Sequence, residues 1–190
     1  MRLLALAIAL LPALALASAS GGYTPGVGCP AAGCADTIDV RLQAPRAVGA
    51  VFVAILPMQS GKPALPGAWL VGPEAVSIGA APMAVRSGSI GPFQQRFRIR
   101  GGACALAAQQ GVPTGVFAVY AGYGIAPAEL VESMERVEQR VAAADPEARE
   151  RANAALERLH ALNPLAKAAA DDMLAKETFW PVATITCGAR

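Results

Sequence analysis

Residues 37–43 (Thr-Ile-Asp-Val-Arg-Leu-Gln) alternate polar and apolar side chains, the two-residue period of a strand with one buried face. Residues 48–56 are apolar at both parities, which predicts a strand covered on both faces. Shorter apolar runs at 68–71, 75–78 and 83–87 are bracketed by Gly or Pro. The alternation resumes at 93–100, and another buried run follows at 115–121. Turn-forming residues punctuate the whole stretch: Pro57, Pro63, Pro66-Gly67, Gly72-Pro73, Pro82, Gly91-Pro92, Gly101-Gly102 and Gly111. No helix-length periodic segment interrupts these strands, which argues for antiparallel sheets and against parallel strand–helix–strand units.

From Pro127 the texture changes. Residues 127–179 hold 11 acidic and 7 basic side chains and no glycine. Three helices are readable there. The first starts near Pro127 and carries Leu130, Met134, Val137 and Val141 as one apolar stripe. Asp145-Pro146-Glu147 combines a capping aspartate, a first-turn proline and an acid at the positive helix end. It opens a second helix with Ala152, Ala155, Leu156, Leu159 and Leu162 along one side. Asn163-Pro164 repeats that signal for a third helix ending near Lys176, and Glu132/Arg136 and Glu147/Arg151 are i,i+4 ion pairs. Residues 182–187 return to β-branched alternation, so the helices read as an insertion before a last strand rather than an independent tail.

The predicted fold is mainly β: an antiparallel sandwich, immunoglobulin-like or similar, with a three-helix insertion before the last strand. Its divisions are a signal peptide (1–19), a cysteine-containing segment (20–36), the sandwich (37–126), the helical insertion (127–179) and the final strand (180–190). The first of these rests on Met1-Arg2, the uncharged residues 3–17 rich in Leu, Ala and Ile, and the small residues Ala17-Ser18-Ala19. That run is shorter than the roughly 20 residues a spanning helix needs, so it reads as an export signal cleaved after Ala19. No later stretch is long enough to span, and the expected destination is periplasmic or secreted.

Export changes how the cysteines read. Cys29, Cys34, Cys104 and Cys187 form an even set bound for an oxidising compartment, where pairing is the default. Pro-Ala-Ala-Gly between Cys29 and Cys34 can form a tight turn, which favours that pair and leaves Cys104 with Cys187. The spacing is too long for a redox Cys-x-x-Cys, and a zinc site of four thiolates wants two short spacings rather than one. The disulfide assignment is therefore structural.

Composition adds exclusions. The 190 residues are 54% apolar and 16% charged, too hydrophobic for a disordered chain. A net charge of +2 gives no reason to expect nucleic acid. His160 is the single histidine and no Gly-x-Ser-x-Gly occurs, so a histidine triad has little to build on. Residues 60–63 are no phosphate loop, since Leu56 and Pro63 stand where glycine and Ser/Thr are required. Gly122-Tyr123-Gly124 reads as a strand-ending turn. Asp171-Asp172 point about 100° apart on a helix, which makes a joint cation site doubtful. The remaining catalytic option is a carboxylate pair drawn from Asp36, Asp39 and Glu74. No cofactor or metal is implied.

The row Arg96, Arg98 and Arg100 is the main binding candidate: with period two these guanidiniums share one strand face, about 7 Å apart. Three readings compete, namely a docking strip for an acidic partner, a solvated edge, and packing against the acidic helices. Trp69 and Tyr120 sit in apolar runs and read as core, whereas Tyr123, between glycines, is expected at the surface as a binding residue. The expected function is that of an exported, non-enzymatic binding or assembly module of the cell envelope, with a protein or polymer partner. The alternatives are an exported carboxylate hydrolase and a carrier whose apolar ligand occupies a cavity between sheet and helices.

Overall fold

In a computed structural model, the residues described are 18–26, 35–109, 111, 114–161 and 163–188. Along the chain run β1 (Ser18–Thr24), β2 (Ala35–Gln43), β3 (Ala47–Gln59), β4 (Lys62–Pro63), β5 (Gly67–Leu70), β6 (Val76–Gly79) and β7 (Ala84–Ile90). There follow β8 (Phe93–Arg100), α1 (Ala103–Gln109), β9 (Gly115–Ile125), α2 (Ala128–Ala143), α3 (Pro146–Ala161), α4 (Pro164–Lys176) and β10 (Phe179–Cys187). One antiparallel sheet has the order β1-β2-β8; the larger has the order β10-β9-β3-β5-β6, with β4 and β7 also paired to β3. The mainly β, antiparallel character matches expectation. The division into three and seven strands differs from the four against three of an immunoglobulin constant domain.

The strong alternation of β2 and β8 gives each one buried face. Ile38, Val40 and Leu42 from β2 meet Phe93, Phe97 and Ile99 from β8 in the first apolar cluster. The larger sheet contributes Val51, Val53 and Ile55 of β3, Phe117, Val119 and Ala121 of β9, and Ile185 of β10 to the same cluster. The opposite parity of β3 (Ala50, Phe52, Ala54 and Leu56) enters a second cluster with Trp69 of β5 and Ala166, Ala169, Ala170 and Met173 of α4. Helix on one side and sheet on the other explain why residues 48–56 lack polar positions.

The three helices between β9 and β10 play unequal parts. Only α4 lies broadly on the sheet, across β9, β3 and β7, while α2 packs on α3 and has no buried residue. Local signals place the helix starts. Asp145 Oδ1 accepts the Ala148 N–H at 2.9 Å, and Asn163 Oδ1 accepts the Ala166 N–H at 3.2 Å. Glu132 and Arg136 pair at 3.7 Å.

Ser18–Thr24 is a strand paired with β2. Two expectations are corrected. A seven-residue helix, α1, interrupts the strands; it is too short to show periodicity, and its leading Gly101-Gly102 reads as a turn. Gly122-Tyr123-Gly124 ends nothing, for β9 continues through it to Ile125, paired with β3. A disulfide joins Cys104 on α1 to Cys187 at the end of β10, with Cα atoms 5.5 Å apart across 83 residues of chain. Residues 1–17, Cys29 and Cys34 lie outside the described residues, and with them the signal segment and the second cysteine pair.

Candidate functional site

The arginine row forms as its period requires: Phe93, Phe97 and Ile99 are buried while Arg96, Arg98 and Arg100 face solvent. Its partners come from the chain itself. Antiparallel register sets Asp39 opposite Arg96, and the guanidinium donates from Nε at 2.8 Å and from Nη2 at 3.3 Å to the two carboxylate oxygens. This pairing holds the Arg96 pKa above its ordinary value. Glu74, between β5 and β6, takes a close hydrogen bond from Arg100 and lies 3.8 Å from Arg98. The Arg100 hydrogen bond chiefly lowers the Glu74 carboxyl below its ordinary value. The Arg98 N–H also donates to the Pro73 carbonyl at 2.7 Å, which fixes this connection beside β8. Among the described ion pairs none links the row to a helix. A broad polar depression of about 680 Å³ adjoins it, with Arg41, Asp39, Gln94 and Arg96 among its walls.

The three candidate acids take separate places. Asp39 and Glu74 are exposed partners of arginines, whereas Asp36 points inward and is 7% exposed. Its Oδ2 accepts the Tyr23 hydroxyl at 2.6 Å and the Ala103 N–H at 2.7 Å, while Oδ1 accepts the Gly26 N–H at 2.8 Å. One carboxylate thereby ties β1, the segment after it and the first residue of α1 to β2. Burial first, and then the bond to Asp36, push the Tyr23 phenol well above its ordinary pKa. Among the described residues its hydrogen-bond partners are these three donors, and the arrangement is a structural anchor.

Asp172 is likewise tied down. It accepts the Ile125 N–H at 2.9 Å and pairs with Lys176 at 2.7 Å, clamping α4 to the end of β9. Burial pushes its carboxyl upward, but Lys176 and the Ile125 N–H together outweigh that and leave it below its ordinary value. Asp171 faces solvent. His160 lies on α3, with its side chain outside the described set. Among the described residues no group of three or more His, Cys, Asp or Glu side chains is gathered as a metal site.

Tyr123 is not the surface residue expected of it. It is 8% exposed and belongs to the first cluster, with its ring 6.1 Å from that of Trp180. Parity within β9 decides this: Phe117, Val119, Ala121 and Tyr123 all face the smaller sheet. The other parity, Tyr120, Gly122 and Gly124, faces α4. A Cβ on Gly124 would strike the Ala169 carbonyl and lie 2.9 Å from the Ala169 Cα, so glycine is what lets α4 settle here.

Where α4 stops short of the sheet edge, a pocket of about 240 Å³ remains. Phe52, Ala54 and Leu56 of β3, Trp69 of β5 and Tyr120 and Gly122 of β9 form the sheet side. Met173 and Leu174 of α4 and Phe179 of β10 form the helix side, with the Phe179 ring 5.7 Å from Tyr120. Pro63, Ala64, Leu65, Ala80 and Pro82 complete it from the loops. Every lining residue is uncharged. Leu65 and Leu174 remain 55% and 52% exposed, although large apolar side chains gain from being covered. The sequence carries the residue types but no sign of their convergence; the doubly apolar β3 was the available clue that something covers its second face.

Comparison with known proteins finds no matching family model, no matching curated protein and no matching solved structure.

Proposed function

We propose that the protein is a non-enzymatic binding module of an oxidising, extracytoplasmic compartment, and that it takes up an apolar ligand in the pocket between the larger sheet and α4. The observation carrying this is the pocket: concave, about 240 Å³, lined by uncharged residues and flanked by two half-exposed leucines. Ligand sites have this character, mostly apolar walls with few polar groups. The Cys104–Cys187 disulfide and the export-type start support the compartment. No helix among the described residues is long and apolar enough to cross a membrane.

The test is titration with the neutral, largely apolar fluorophore 1-aminonaphthalene, whose emission moves to shorter wavelength on leaving water and is read at the blue edge of the band. Saturable enhancement is expected for the native chain. It should be lost in Ala54→Phe, which fills the pocket, and weakened in the surface variant Leu65→Asp. A native protein that gives no saturable signal refutes the reading.

The polar depression beside the arginine row favours a second, weaker reading, capture of an acidic partner. Such a partner would have to displace Asp39 and Glu74 from the guanidiniums. Replacing Arg96, Arg98 and Arg100 together by Ser should then weaken capture and flatten its salt dependence. Unchanged pull-down at low and high salt removes that site.

A further inference from the structure

We infer that the occupant of the pocket is an uncharged molecule of about ten heavy atoms with one hydrogen-bonding oxygen, and that Tyr120 is its polar contact. This rests on the apolar-ligand reading above and narrows it to medium-chain alcohols, ketones or esters.

Size comes first. A buried apolar cavity of about 150 Å³ takes up benzene, with its six heavy atoms, so about 240 Å³ corresponds to a ligand nearer ten. Charge comes second. No lining side chain is ionisable at neutral pH, and a carboxylate or ammonium drawn inside would lose water without gaining a partner. The nearest cation along the chain, Lys62, precedes the lining residue Pro63 but is itself no part of the wall.

The heteroatoms decide the rest. Three lining side chains carry one: Trp69, Met173 and Tyr120. Trp69 Nε1 is already committed, donating to the Gly79 carbonyl at 3.1 Å, and this bond holds β5 to β6. The Met173 thioether is only a weak acceptor. Tyr120 is half-buried with its ring against Phe179, and its hydroxyl has no hydrogen-bond partner among the described residues. A phenol in apolar surroundings seeks a partner for its polar end. It can donate to a ketone or ester oxygen, or exchange donor and acceptor roles with an alcohol.

The test uses the full, disulfide-oxidised chain with 1-aminonaphthalene bound, a neutral probe of eleven heavy atoms, displaced in parallel by nonanol and by nonanoate at pH 8. Nonanol should displace the probe at least about tenfold more tightly than nonanoate, because the anion must shed its hydration. Tyr120→Phe should lower the affinity of nonanol relative to the oxygen-free ligand propylbenzene about three- to tenfold, the range for one hydrogen bond. Nonanoate binding as tightly as nonanol, or nonanol weakened no more than propylbenzene by Tyr120→Phe, overturns this inference and leaves the apolar pocket standing. No probe binding in the native chain overturns both.

Discussion

Replacing Asp36 by Ala removes the one charged acceptor that three donors share at the junction of β1, β2 and α1. The Ala103 N–H is the most exposed to loss in energetic terms, because Ala103 is 2% exposed and no water can readily replace the carboxylate there. Leaving a buried donor unmade costs about 1–3 kcal/mol. The Tyr23 hydroxyl and Gly26 N–H are part-buried and regain some water, so each loses less than the roughly 1.5–3 kcal/mol of a hydrogen bond to a charged group. The combined expectation is about 3–5 kcal/mol, a large share of the roughly 5–15 kcal/mol that holds a domain folded. Urea unfolding of the oxidised protein at neutral pH reads this as a midpoint lowered by about 2 M, for an m-value near 2 kcal/mol/M. Asp36→Asn should cost less, about 1–3 kcal/mol, since an amide oxygen placed at Oδ2 still serves Tyr23 and Ala103 while its NH2 opposes the Gly26 donor. Tyr23→Phe should lose most of its own effect when Asp36 is already Ala, because the two share one bond. An Asp36→Ala cost below about 1 kcal/mol would falsify the account of this carboxylate as an anchor.

Three further outcomes follow from named contacts. Removing both Cys104 and Cys187 (to Ala) should destabilise by about 4.5 kcal/mol on the chain-entropy estimate for a loop of 83 residues, measured by the same unfolding assay; a loss under about 1 kcal/mol refutes it. Tyr23 keeps its proton in the fold at pH values where the unfolded phenol, at about 10.0, has lost it. The unfolded state then binds fewer protons, so stability is fully present below pH 10 and falls as pH rises beyond it. Tyr23→Phe should flatten that alkaline decline, and an unchanged slope counts against the assignment. Gly124→Ala should cost about 2 kcal/mol by overpacking and speed hydrogen exchange in α4, because the new methyl meets the Ala169 backbone; native exchange rates in α4 would contradict the packing.

Local chemistry alone determined much of this chain. The two-residue period of β8 set which side of the strand holds three arginines, and Asp145 and Asn163 announced the helices they cap, because parity and capping act within a few residues. The helix α1 escaped notice for the same reason: seven residues hold too few turns to repeat a pattern. Tertiary structure decided everything that depends on what covers a face. Tyr123 is buried because β9 continues past its glycines and turns that parity toward the smaller sheet, which no neighbouring residue foretells. Asp36, one of three indistinguishable acids in the sequence, became an anchor because β1 and α1 bring their donors from 13 and 67 residues away. The pocket exists because α4 covers only part of the second face of β3, and the extent of that cover is a matter of packing between elements far apart along the chain.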